Sequence, residues 1–338
     1  MKVKSVARKP SFHKHPNTSI TLLLNEMTSE DEYESVVLKH YENDLVRSEI
    51  ARFSRGRWVA VHCQTLDKNG RPYLLRYLKR AKRKIPLTIE NPEDITNIIE
   101  RFRKLQPRTF YASINMYREL SATEHVKSLD NIIYCLPTWD IDNKLEKWKA
   151  TIEAANVIVS FLKSNGIKNS LFLKWSGNGM HIHIHHRAFS EQILKEIHPL
   201  DIAYSVVEYV NLKLQGKYHD ILQKHNAPEL RVENKIDIQR VFTCPLSLHR
   251  KLNTVAVCIN PKDLNDFSPA WVMVDRFKHW SAWDNYKEGE ADSLALNAYK
   301  AVGGYPLKHL PKAPKKRKAK LDELILKWIS RREDMSEM

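Results

Sequence analysis

NIIYCLPTWDIDN, residues 131–143, is the stretch that decides how this chain is read. It begins as a run rich in Ile, Tyr and Trp, which predicts a strand over 131–142. Asp140 and Asp142 stand two residues apart at its end. Strand alternation points both carboxylates to one face, and Trp139 and Ile141 to the other. Two hard anionic ligands held together suit Mg²⁺ or Mn²⁺, whose octahedra are completed by water and substrate phosphate. Without a cation nearby, their mutual repulsion would raise one of the two pKa values.

The segments that follow set the fold class. Residues 144–163 are predicted helical, with Trp148, Ile152, Ala155, Val159 and Leu162 on one buried face. Strands are expected over 169–175 and from His181 onward, joined by the turn SGNGM. A helical stretch opens at Ser190, is interrupted by Pro199 and continues to Leu214. A last strand is expected over 235–242. This β-α-β-β-α-β order is the split, ferredoxin-like arrangement also used by RNA-recognition folds. Its first and last strands are antiparallel neighbours, so Asp237, at the start of 235–242, is expected beside Asp140 and Asp142. Three convergent carboxylates are the number needed to hold two cations for phosphoryl transfer. The plain alternative is that Asp237 merely pairs with Lys235 or Arg240.

Two further motifs flank the acids. In WSGNGMHIHIH, Gly177 and Gly179 permit unusual backbone angles, so main-chain N–H groups can approach an anion closely. Ser176 adds a hydroxyl and His181 an imidazole donor. His183, His185 and His186 read as solvent-facing or core-capping, because alternate histidines on a flat strand rarely converge on a transition metal. In RVFTCPLSLHRK, the side chains of Arg240, Ser247, His249, Arg250 and Lys251 offer donors for a triphosphate and a departing pyrophosphate. Standing alone, that segment would read as a basic surface loop.

Farther out, residues 30–47 read as helical, with Tyr33, Val36, Val37 and Tyr41 at helical spacing. GRWVAVHC (56–63) and RPYLLRYL (71–78) flank a turn carrying Asp67, Asn69 and Gly70. They form a hairpin unless the second is a short helix. A helix is expected over 91–105 and a strand over 108–117. At the far end, a proline-flanked basic run (311–320) precedes an amphipathic segment (321–328), either a docking device or a terminal helix packed on its own core. The division that follows is an N-terminal mixed α/β module (1–130), a palm (131–290) and a basic linker with a helix (291–338).

Composition narrows the partners. With 42% hydrophobic residues a sizeable core can be buried, so global disorder is excluded. No stretch approaches ~18 consecutive apolar residues, and the basic start, MKVKSVARKPSFHKHP, lacks the apolar run of a signal peptide. A cytoplasmic, nucleoid-associated protein with no membrane contact is expected. The four cysteines include no CxxC pair, which argues for buried free thiols and against zinc. An excess of 55 basic over 40 acidic residues gives +15, favouring a polyanion partner.

Taken together, WDID, then SGNGMH, then IDIQR followed by PLSLHRK resemble the archaeo-eukaryotic primase superfamily, and are most similar to the catalytic small subunit of archaeal primase. SEIARFSRGRWVAVH, TFYASINMY and VAVCINPKDLNDFSP also match family segments, so the resemblance spans about 45–270. It implies an N-terminal mixed α/β module packed on a ferredoxin-like palm. It implies Asp140, Asp142 and Asp237 as ligands of two Mg²⁺ or Mn²⁺ ions. Ser176, His181, His249 and Lys251 would hold the phosphates of an incoming NTP or dNTP. The implied activity is primase or primase-polymerase chemistry on a single-stranded DNA template, with a large primase subunit or another replication protein as a possible partner. The family's cysteine-rich zinc knob has no counterpart after Asp142, which leaves a plasmid, viral or repair role open. Three rivals stand beside this reading: an extending repair or bypass polymerase, an inactive nucleic-acid-binding subunit, and a nuclease. The retained acids count against the second, and the SGNGMH and PLSLHRK motifs against the third.

Overall fold

Two antiparallel sheets share the chain in this computed structural model, with helices packed around them, a mixed α/β fold. The structure describes residues 33–306 other than 81 and 82. The chain divides into two units, Met1–Gly304 and Tyr305–Met338, and every element below lies in the first. The basic run at 311–320, the segment at 321–328 and the basic start of the chain lie outside the described residues.

Tyr33–Leu38 winds as a π-helix and runs into Lys39–Tyr41 (together α1), burying Tyr33, Val37 and Tyr41 as their spacing predicts. In α2 (Asp44–Ser54), the Asn43 side chain accepts from Leu45 N and caps the start. β1 (Arg57–Leu66) and β2 (Pro72–Leu75) form the expected hairpin, although its second strand ends at Leu75 and Tyr77 and Leu78 belong to a separate pair. Asp67 Oδ1 accepts from Asn69 N and Arg71 N and closes its turn. β3 (Tyr77–Arg80) and β4 (Arg83–Pro86) make a small separate pair. α3 (Glu93–Arg101) buries Ile95, Ile98 and Ile99, and β5 (Pro107–Tyr117) pairs with β1.

The run 131–142 is two strands rather than the single one expected. β6 (Ile132–Cys135) pairs with β5 in the first sheet, and β7 (Thr138–Asp142) belongs to the second. Between them Pro137 has no N–H to extend a ladder and biases Leu136 toward an extended backbone. The crossing is pinned on both sides: Leu136 N donates to Ile114 O, and Pro137 O accepts from Ile184 N.

After β7 come α4 (Trp148–Ser164), β8 (Leu171–Trp175), β9 (Met180–Ile184), α5 (Glu191–Glu196), α6 (Pro199–His225) and β10 (Arg231–Asn234). The sheet runs β10-β7-β9-β8, with β12 (Val257–Ile259) added beside β8. The last strand of the β-α-β-β-α-β unit thus lies against the first, the ferredoxin-like arrangement that the sequence predicts. α6 continues past Leu214 to His225 and stops at Asn226, whose φ of 45° is left-handed.

The last strand is displaced from its expected place. β10 covers Arg231–Asn234, residues 235–240 are not strand, and β11 (Val241–Thr243) pairs with β5 in the first sheet. The apolar alternation of Ile236 and Ile238 arises because this crossover is itself packed. Ile236 is buried, and Ile238 packs against a cluster of Trp58, Tyr117, Val126 and Ile132. Asn115 Nδ2 donates to the carbonyls of both Asp237 and Ile238, satisfying the backbone that a strand ladder would have satisfied.

Candidate active site

Strand register assembles the centre. Asp140 lies opposite His181 of β9 and opposite Glu233 of β10, so the three share one row and one face. Asp140 is buried. Its Oδ1 is 3.2 Å from His181 Nε2, and its Oδ2 is 2.8 Å from Lys235 Nζ. The same ammonium is 2.6 Å from Asp142 and 3.1 Å from Glu233. Three carboxylates therefore converge on a single cation. Burial pushes the Asp140 pKa up, but His181 and Lys235 outweigh it and hold the carboxyl well below its usual range. Burial likewise opposes the charge on Lys235, and the facing carboxylates overcome it and raise its pKa.

Glu233, and Lys235 as the partner of Asp140 and Asp142 in place of Asp237, escape a reading of the sequence alone. Their signal is the period-two series Arg231, Glu233, Lys235, which is visible only once β10 is placed four residues earlier than expected. Asp237 lies beyond β10 in the crossover. Its Oδ1 accepts from Gln239 N at 2.7 Å and its Oδ2 is 3.3 Å from Arg240. The carboxylate across from Asp140 on the neighbouring strand is accordingly Glu233. Arg240 also donates through Nε to Lys235 O at 2.8 Å, bracing the crossover.

The Ser176–Gly179 turn is built for close approach. Ser176 N donates to Gly179 O at 3.0 Å. A side chain at Gly179 would put Cβ 2.0 Å from Ile141 O, so glycine lets the turn lie against β7. Gly177 has φ 122°, and a Cβ there would be 2.5 Å from His249 Cδ2. The turn and the PLSLHRK segment thus meet at Gly177. Burial, aided by Arg250 and Arg108, lowers the His249 pKa to about 4. Its Nδ1 accepts from Lys251 N at 3.3 Å and Leu252 N at 3.0 Å, which assigns the ring proton to Nε2.

Arg250 and Lys251 are exposed, and with His62, Gln64 and Arg108 they line a cavity of about 640 Å³. Ser247 is turned inward: its Oγ accepts from Phe110 N at 2.8 Å and lies 3.3 Å from Tyr41 Oη. Of the remaining histidines, His183 is buried with Nδ1 2.8 Å from Thr138 Oγ1, and His185 Nε2 is 3.0 Å from Asp284. The four cysteines are free and buried, as expected.

Among the described residues no group of three or more His, Cys, Asp or Glu side chains stands ready-made around a metal position. The donor set at Lys235 is nonetheless of the right kind. Asp140, Asp142 and Glu233 are all-oxygen, anionic and already gathered round one cation, which is what a hard divalent ion requires.

No protein-family model matches the chain, and no curated protein does. Among solved structures, the polymerase domain of Ligase D from Mycobacterium tuberculosis, in complex with DNA, aligns at a TM-score of 0.45 and 11% identity. That alignment covers 80% of this chain and 90% of the other.

Proposed function

We propose that this chain is a template-dependent nucleotidyltransferase, a primase or primase-polymerase that joins an NTP or dNTP to a 3′-hydroxyl and releases pyrophosphate. The observation that carries this reading is the convergence of Asp140, Asp142 and Glu233 on one cation, next to a turn whose Gly177 packs against His249. Divalent ions would be held by Asp140 and Asp142, with Glu233 as third carboxylate by geometry or Asp237 by resemblance. They would supply charge neutralisation and a more acidic attacking hydroxyl. His181 donates through Nε2 to Asp140 and fixes that carboxylate's orientation. On the opposite flank, His249 Nε2–H, Arg250, Lys251 and the Ser176–Gly179 backbone offer donors to a triphosphate. Single-stranded DNA as template, and a large primase subunit or other replication protein as partner, belong to the same reading.

The deciding experiment incubates the purified protein with single-stranded DNA, labelled nucleotides and Mg²⁺ or Mn²⁺, with and without primer. Dinucleotides formed without primer would mark a primase. Extension of a primer alone would mark an extending repair or bypass polymerase. The proposal fails if the wild type incorporates nothing, or if Asp140→Ala incorporates as well as the wild type.

A further inference from the structure

At the opposite end of β1 from His62 and Gln64, a second cavity of about 210 Å³ opens between α2, the end of β9 and residues 283–286. Five residues of strand, roughly 16 Å, separate Arg57 here from His62 there. Four guanidiniums line this cavity: Arg52, Arg55, Arg57 and Arg187. Glu49 neutralises Arg52 at 2.7 Å. One carboxylate, Asp284, also lines the cavity and pairs with His185 Nε2 at 3.0 Å, and among the described residues no carboxylate lies within ion-pair distance of the other three arginines. Arg57 is 3% exposed and donates through one nitrogen to the carbonyls of Ser113 and Ile114, at 2.9 and 2.8 Å. Burial lowers its pKa to about 10.

A column of stacked rings stands beside these cations. The rings of His185 and Tyr286 are parallel within 5° at 4.7 Å, and His186 stacks on His185 at 4.3 Å. Arg187 donates to Tyr286 Oη at 3.1 Å, and the buried His186 Nδ1 has no partner. Guanidiniums with no ion-pair partner grip phosphate oxygens in forked pairs. Tyr286, one face covered by His185 and with Arg187 5.7 Å over its ring, is half-exposed, and a base can stack on the ring and guanidinium that remain open. We infer that this cavity binds one nucleotide unit, a phosphate ester carrying a base. At about 210 Å³, below the ~300–1,000 Å³ of drug-sized sites, the cavity takes the phosphate and sugar of one unit with its base at the rim over Tyr286, and not a longer ligand. A free nucleotide and a nucleotide within a single strand share this chemistry.

Calorimetric titration with AMP in EDTA tests the inference without any use of catalysis, so failure of the nucleotidyl-transfer reading would leave it intact. Arg187→Glu and Tyr286→Ala both alter exposed side chains and should keep the wild-type melting temperature. AMP is expected to bind the wild type, and to bind the two cavity variants about tenfold more weakly or worse. Undetectable AMP binding by the wild type, or unchanged affinity in both cavity variants, would overturn the inference. Displacement of bound AMP by a short oligothymidylate would identify a strand as the source of the unit, and failure to displace it a free nucleotide.

Discussion

Lys235 holds together, by attraction, three carboxylates that would otherwise repel one another. Replacing it with Met removes the competing ammonium and should tighten Mn²⁺ binding while lowering metal-free stability. Melting curves with and without Mn²⁺ read both effects. The Mn²⁺-induced rise should be larger in Lys235→Met than in the wild type and absent in Asp140→Asn. Equal rises in all three proteins would show that these carboxylates take no metal. Gly179→Ala should lower the melting temperature by several degrees, because its Cβ would meet the Ile141 carbonyl at 2.0 Å and β7 would have to shift. His40 sets a pH dependence. Burial outweighs its bond to Leu246 O and lowers its pKa to about 4. Below about 6.5 the unfolded chain takes up a proton that the folded ring refuses, so stability should fall as pH drops from about 6.5 toward 4. Integrated over that window the effect is on the order of 3 kcal/mol, and acid melts of His40→Gln should show a flatter profile. Asp140, Asp142 and the two glycines are legible in the sequence because each reports on its immediate neighbours. Glu233 and Lys235 are not, because their role exists only through a register with β7.

At the scale of elements, the first five units of the ferredoxin-like order follow from periodicity, since α4 and the strands β7 to β9 carry apolar faces that the core requires. β10 does not, because Arg231, Glu233 and Asn234 leave it without an apolar run, and pairing with β7 makes it a strand. The packed crossover after it imitates a strand pattern for a different reason, its burial against Trp58 and Tyr117. α6 extends beyond its predicted end at Leu214 because Gly216, which weakens the helical signal, lies inside the helix. Nothing lies within 4 Å of the position a Cβ would occupy there. Gly216→Ala should therefore stabilise the protein by up to ~1 kcal/mol, raising the melting temperature by roughly 2 °C. A calorimetric scan showing no rise would mean that this turn of α6 is not helical in solution.

For the molecule as a whole, the charge of +15 is the property most open to a simple measurement. Affinity for single-stranded DNA should fall steeply with salt, with a log–log slope between about −3 and −6 at ~0.7 per phosphate contacted. A flat response would make the basic surface a bystander. No helix among the described residues is long and apolar enough to cross a membrane. The two sheets are interleaved along the chain, because β11 returns to β5 only after the second sheet's first four strands are complete. During synthesis the backbone of Tyr111–Ser113 must therefore wait for about 130 further residues before its partner emerges, several seconds at ~5–20 residues per second. Over that interval the nascent chain carries an open strand edge, the kind that recruits other chains. Any truncation between Ser113 and Val241 would make that edge permanent, so a shortened product should precipitate instead of folding as a smaller domain.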